Sequence, residues 1–301
     1  IMAPTEILAN QHYKYIINNF KKYCNSEILT GKTEYRQRKK ILNDLLNKKI
    51  DVLIGTHALF QNKITYNNLG LIIIDEQHKF GVNQRKKLSD KGGNNCDVLV
   101  MSATPIPRTM MMTIYGDMDI SLIKSKPKNR KPIKTYSKNE TKIDEVIKFI
   151  KSEILKKNQI FWVCPLIKES QKIDHQSAIE KYKYLSKILK YNVDIIHGSM
   201  NKDERENVLN KFKEKKIDIL VSTTVIEVGI DFPNANVIVI ENSNKYGLSQ
   251  LHQLRGRVGR GEREASCILL FKAGLSENAR KRITILKNTN DGFKVAEEDL
   301  K

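Results

Sequence analysis

Leu69–Arg85 reads LGLIIIDEQHKFGVNQR. Its first half is a short apolar run, Leu69, Leu71, Ile72, Ile73 and Ile74, set off upstream by Asn67 and Asn68. A β-branched run without polar alternation predicts a buried strand of a parallel sheet, apolar on both faces. The run ends in two adjacent carboxylates, Asp75 and Glu76. In an open α/β sheet the carboxyl ends of the strands are where ligands sit. Charge beside a buried strand is costly unless it has a partner. An Mg²⁺ ion carrying a nucleotide is one such partner, with Asp75 holding the metal through water and Glu76 orienting or deprotonating the attacking water. A solvated acidic loop is the alternative, and two carboxylates alone do not decide between them.

Working outward, the 301 residues are 40% hydrophobic and 29% charged, which fits two α/β domains. Fifty-three basic against 34 acidic residues leave a formal charge of +19, a field that favours a polyanion, nucleic acid first. Of the basic residues 41 are Lys, in a chain also rich in Asn and Ile, a pattern that compositional drift produces without any ligand. The 12 Arg say more, because three of them crowd into Arg255–Arg260. Cys24, Cys96, Cys164 and Cys267 lie far apart with no C-x-x-C pair, which predicts reduced thiols of a cytoplasmic protein and neither a disulfide nor a zinc framework. No apolar run approaches the ~18 residues of a membrane span. The opening IMAPTEILANQHYKY lacks the basic start and long apolar core of a signal peptide, and reads as a strand tail entering a loop and a helix.

Periodicity places helices at 9–23 and 34–47, the second carrying Ile41, Leu42, Leu45 and Leu46, and strands at 51–55, 69–74 and 97–101. Such alternation implies a parallel sheet with right-handed crossovers. Ser121–Ser137, SLIKSKPKNRKPIKTYS, is basic, polar and carries Pro127 and Pro132, so it is the linker candidate. A second α/β unit follows, opened by an amphipathic helix at 142–157 with Ile143, Val146, Ile147, Ile150 and Ile154 on one stripe. Strands are expected at 159–164, 193–196, 217–222, 237–241 and 266–271, with helices at 177–189 and 202–212. The fold class is therefore α/β, two parallel-sheet domains.

Several strand ends are awkward to explain as packing. Ser102-Ala-Thr-Pro105 places small hydroxyl residues where they can bond the neighbouring carboxylates or a phosphate, although a turn closed by Pro105 explains it equally well. Ser222-Thr-Thr224, with Val228-Gly-Ile-Asp231 soon after, offers hydroxyls and backbone N–H groups suited to nucleic-acid phosphates or to plain helix capping. Gln250–Arg260, QLHQLRGRVGR, is sharper: three Arg and two Gly in six residues make a poor core and an unusual solvated face. Arg presents a planar fork to phosphate oxygens and Gly admits close backbone approach. Arg257 and Arg260 are spaced to lie one turn apart on one helical face, as arginine fingers toward a γ-phosphate or as a grip on nucleic-acid backbone.

DEQH, SATPIPRT, STTVIEVGID and QLHQLRGRVGR, in this order, resemble the motor motifs of superfamily 2 helicases, with APTEILANQH and GTHALFQ as the nucleic-acid-contacting motifs of the first domain. IGTHALFQ, IIIDEQHKFGVNQR, WVCPLIKES and NDGFKVAEEDL bring the match closest to the RecG-type helicases. The motor of transcription-repair coupling factors shares SATPIPRT and QLRGRVGR but usually has Glu where Gln77 stands. The resemblance implies two RecA-like domains, the first at 1–125 and incomplete at its N-terminus, a linker at 126–137, the second domain at 138–290, and the start of a translocation segment at 291–301. It implies an ATP-driven, Mg²⁺-dependent helicase that remodels branched DNA and works as a monomer, with a single strand in the motor cleft. Asp75 and Glu76 would serve Mg²⁺ and water. Gln77 and His78, with Ser102 and Thr104, would couple nucleotide state to the DNA track. Pro4, Thr5, Gly55, Thr56 and Thr223 would contact strand phosphates or sugars. Gly229 and Asp231 would border the nucleotide on its ribose side, and Gln253, Arg257 and Arg260 would read the γ-phosphate.

One motif of that family is missing from these residues. Its G-x-x-x-x-G-K-[ST] phosphate loop lies upstream of the APTE motif. Gly31-Lys32-Thr33 is a decoy, since the earlier glycine would fall at Ser26 with no apolar strand before it; it is expected to be a loop. The family's N-terminal wedge domain has no counterpart either. The expectation is a RecG-like fragment whose hydrolysis alone is very weak, or a non-catalytic DNA-binding remnant.

Overall fold

The computed structural model describes residues 1–299 other than 62, 78, 79, 81–90, 93–95, 104–118, 124, 126, 128, 129, 166–170 and 224–231. They fall into two compact units, one holding residues 1–103 and a larger one taking in the described residues from 119 onward.

The first unit is a parallel sheet assembled around its opening residues. β1 (Ser26–Leu29) pairs with β2 (Val52–Gly55), and β3 (Leu71–Ile74) pairs with β4 (Asp97–Val100). Met2 bridges Gly55 on one side and Ile74 on the other, joining the two pairs. The seam is closed by Ala3 N to Gly55 O (2.9 Å), Gly55 N to Ile1 O (3.0 Å), Met2 N to Ile73 O (2.7 Å) and Asp75 N to Met2 O (2.9 Å). Side chains alternate between faces along a strand. α1 (Glu6–Phe20) therefore packs Leu8 and Ala9 with Ala3 and Ile54 on one face. α2 (Tyr35–Leu46) packs Ile41 and Leu45 with Leu29 and Leu53 on the other.

Three local expectations need correction. α1 starts three residues before the expected start, at Glu6, because the Thr5 hydroxyl caps it. β1 was not expected; Ser26 and Glu27 mask a strand whose residues are mostly half-buried. β3 is sealed on one face by Ile72 and Ile74, while Leu71 is 52% exposed.

The second unit carries a six-stranded, all-parallel sheet. Its strands are β5 (Ile133–Asn139), β6 (Gln159–Val163), β7 (Val193–Ile196), β8 (Ile219–Ser222), β9 (Ala235–Ile240) and β10 (Ala265–Phe271), in the spatial order β5-β10-β9-β6-β8-β7. On one face, α3 (Ile143–Leu155) and α4 (Gln171–Ile188) bury Val146, Ile150, Ala178 and Leu185 against Ile160, Trp162 and Val239. On the other, Phe161, Phe212 of α5 (Lys202–Lys213) and Phe232 form a triangle of rings with centroids 5.0–5.6 Å apart. α6 (Leu248–Arg255), α7 (Glu277–Asn288) and α8 (Gly292–Asp299) complete the unit.

β5 corrects the linker. Residues 133–137 belong to the sheet, where Ile133 and Thr135 face inward and Lys134 and Tyr136 outward. An edge strand with charged outer positions looks, in sequence, like a solvated connection.

Candidate functional site

The end of β3 turns sharply. Asp75 continues the strand register through its bond to Met2, and Glu76 adopts φ +49°, a left-handed conformation that costs a residue with a Cβ roughly 1–2 kcal/mol. Such strain gathers at functional positions and persists only where the surroundings enforce it. Here the enforcement is visible: Gln77 N donates to Met101 O at 3.1 Å, and Ala103 N reaches Glu76 Oε2 at 3.5 Å. The turn thus brings the ends of β3 and β4 together, with a backbone N–H of the SAT stretch reaching the acidic pair. Ser102 is exposed beside it and Gln77 is buried, while His78 and Thr104 lie outside the described residues.

Both oxygens of Asp75 are already engaged. Oδ1 accepts from Glu76 N at 2.8 Å, and Oδ2 accepts from His12 Nε2 at 2.8 Å. The carboxylate is 19% exposed, so its remaining lone pairs are reachable from outside. A hard oxygen donor in that state fits Mg²⁺, which keeps most of its waters and takes one or two carboxylates plus phosphate oxygens. No cluster of three or more His, Cys, Asp or Glu able to cage a metal occurs among the described residues.

Sequence reasoning quoted His12 within APTEILANQH and assigned it no role. The signal was present: His12 lies seven residues after the Thr5 cap and four after buried Leu8, on the same side of α1. Thr5 Oγ1 accepts from Leu8 N at 3.2 Å, so it starts the helix that delivers His12. Pro4 and Thr5 are half-buried at that helix start, a place where backbone N–H groups favour anions.

Gly55 and Thr56, the expected strand-phosphate contacts, lie at the end of β2. Gly55 is bonded to Ile1 and Ala3, and a Cβ there would lie 2.1 Å from Leu29 O. Thr56 is 2% exposed, sealed beneath the turn of residues 57–60, with its hydroxyl buried. Close strand packing is what Gly55 serves. Thr223 is likewise buried, its N donating to Ile196 O at 3.3 Å. None of these three offers an open side-chain contact in this conformation. Gly31-Lys32-Thr33 is a turn, as expected, but a strand, β1, does precede it, and Lys32 N is spent on Thr30 Oγ1 at 3.3 Å.

In the second unit the arginine stretch is not one helical face. α6 ends at Arg255 with Gly256 as its cap. The chain then tightens, with Arg257 N bonding Leu254 O, and Gly259 takes φ +69° while its N reaches Ala235 O at 3.3 Å. A Cβ on Gly259 would stand 2.8 Å from that of Ala265, so glycine lets this loop lie on the start of β10. Arg260 is exposed, its Nε 3.4 Å from Gly256 O, and Gln253 and Arg257 are half-buried. Arg255 points inward instead: it is 2% exposed and donates to Leu286 O (2.6 Å) and Thr289 O (2.8 Å) at the end of α7. Burial pulls its pKa below the ordinary guanidinium value. Asp299 of α8 accepts from both the N–H and the hydroxyl of Ser249 at the start of α6. Gly229 and Asp231 lie outside the described residues.

Residues 1–113 match the DEAD/DEAH box helicase family, and residues 141–262 match the helicase conserved C-terminal domain. Among curated proteins, the ATP-dependent DNA helicase RecG of Bacillus subtilis (strain 168) is 46% identical over all of this chain and 44% of its own length. That of Thermotoga maritima is 48% identical over all of this chain and 39% of its own length. A solved structure of RecG bound to a three-way DNA junction gives a TM-score of 0.83 at 46% identity, covering 100% of this chain and 39% of that one. Dbp5 of S. cerevisiae bound to RNA and ADP BeF3 gives 0.68 at 17% identity, covering 100% of this chain and 80% of that one, a likeness of fold. The chain thus spans less than half the length of these two curated relatives.

Proposed function

Because the chain belongs to the RecG-type family of superfamily 2 helicases, we propose that it is the motor portion of an ATP-driven DNA helicase that remodels forks and junctions in recombination and repair. The observation that carries this reading is the strained acidic turn at the end of β3, Asp75-Glu76, in a chain 46% identical throughout to a RecG solved on a three-way junction. Asp75 holds Mg²⁺ through water, and Glu76 orients the attacking water. Mg²⁺ supplies neutralisation of the developing phosphate charge when bound. Gln253, Arg257 and Arg260 take the γ-phosphate, with Gly229 and Asp231 on the ribose side. Gln77, His78, Ser102 and Thr104 relay nucleotide state, and Pro4 and Thr5 meet the strand at the α1 N-terminus. The protein acts as a monomer in the cytoplasm.

These residues supply the water side and the arginine side of the chemistry, and the Gly31–Thr33 turn adds no phosphate cradle. A non-catalytic DNA-binding role for the 301 residues alone is therefore the second reading. One exchange tests the first: this chain replaces the matching segment of the Bacillus subtilis relative, and DNA-stimulated ATP hydrolysis is measured. The chimera is expected to turn over, with Glu76→Gln and Arg260→Ala each lowering kcat by roughly 10²-fold or more. Turnover that ignores both substitutions would sink the assignment. The isolated chain is expected to bind DNA without appreciable turnover.

A further inference from the structure

We infer that His12 is a positioning residue for the metal-side carboxylate: its Nε2–H holds Asp75 Oδ2 so that the outward lone pairs of Asp75 stay aimed at a hydrated divalent cation. The inference deepens the reading of the Asp75-Glu76 turn and rests on it.

The two side chains are 63 positions apart and meet because Met2 pairs beside β3. From that seam the chain runs through Ala3 and Pro4 into α1, and α1 carries His12 back over the end of β3. A carboxylate can only accept, so the 2.8 Å contact requires the hydrogen on His12 Nε2. Oδ1 is held by Glu76 N, a donor on the same strained turn, and Oδ2 is held by a side chain of α1, a separate element. Two donors from independent elements fix both torsions of the Asp75 side chain. With one donor the group pivots about that bond, and a cation held through water loses its reference point.

Such supporting partners orient a ligand and raise its basicity, and their loss lowers metal affinity even though they never touch the metal. A purely structural role for the pair is the competing explanation. It predicts that any change at His12 acts through stability and that the hydrogen-bond donor itself is immaterial.

The test uses this chain, isotopically labelled, with Mn²⁺ alone as the probe. Paramagnetic broadening of the Gln77 amide resonance reports a cation held at Asp75, and Asp75→Asn identifies the part of it that belongs to that carboxylate. His12→Phe keeps a ring and removes the donor; His12→Gln returns an N–H near the position of Nε2. The expected result is that His12→Phe raises the Mn²⁺ concentration for half-broadening roughly tenfold, with an unchanged melting temperature, and that His12→Gln restores it to within about twofold. Asp75-dependent broadening that His12→Phe leaves untouched overturns this inference alone. Equal losses in the Phe and Gln variants do the same, since the donor then does not matter. Absence of any Asp75-dependent broadening in the unsubstituted chain overturns the metal reading of the turn and this inference with it.

Discussion

Gly55 and Glu76 are single residues whose backbone geometry decides what their neighbourhood can do. At Gly55 a methyl group would meet Leu29 O at 2.1 Å, inside the β1–β2 pairing. Gly55→Ala is therefore expected to destabilise the first unit by about 3 kcal/mol, the upper range for overpacking, seen as a lower urea midpoint. At Glu76 the strain has the opposite sense, because a side chain is kept at φ +49°. Replacing it by Ala and by Gly removes the carboxylate either way, so the difference between those variants isolates the backbone. The Gly variant is expected to be the more stable by about 1 kcal/mol. Equal stabilities would mean that the left-handed turn relaxes once the carboxylate is gone.

At the scale of elements, α6 is held at both ends by the helices that follow it. Arg255 ties its last turn to the carbonyls closing α7, and Asp299 ties its first turn to α8. The loop with Arg257 and Arg260 is thereby placed by an arginine that is itself buried. Arg255→Met would leave the Leu286 and Thr289 carbonyls without their donor in a buried place, at a cost of about 3 kcal/mol. Calorimetry on the isolated chain checks it, with Arg260→Ala, on the exposed side of the same loop, expected to melt like the unsubstituted chain. Spacing alone suggested one Arg-rich helical face. Packing splits it, because Gly256 ends the helix and Gly259 bends the chain onto the strand starts.

For the whole molecule, burial sorts the thiols and net charge bears on the proposed DNA binding. Cys267 is fully buried and its thiol is pushed up to about 12 by desolvation; Cys164 is pushed up by burial and by Glu241 beside it. A raised thiol pKa favours the folded state fully below the ordinary thiol range, and that contribution is lost as pH climbs from about 9 toward 12. At pH 8 iodoacetamide is accordingly expected to label Cys24 and Cys96 well before Cys164 and Cys267, read by peptide mass spectrometry. Rapid labelling of all four would mean that the second sheet opens readily. With a formal charge of +19, DNA binding is expected to weaken steeply between low and physiological salt.

Local pattern by itself determined the α/β class, most of the strands, the two-unit organisation and the place of the acidic pair, because apolar periodicity and strand ends are written in neighbouring residues. The resemblance of DEQH and QLHQLRGRVGR to helicase motifs followed from the same short stretches. Tertiary structure decided the rest. The insertion of Met2 between β2 and β3, the edge strand β5, the burial of Thr56 and Thr223, and the opposite fates of Arg255 and Arg260 all depend on which distant segment lies alongside. His12 belongs with them: its contact with Asp75 spans 63 positions and exists only because the sheet draws the start of the chain against β3.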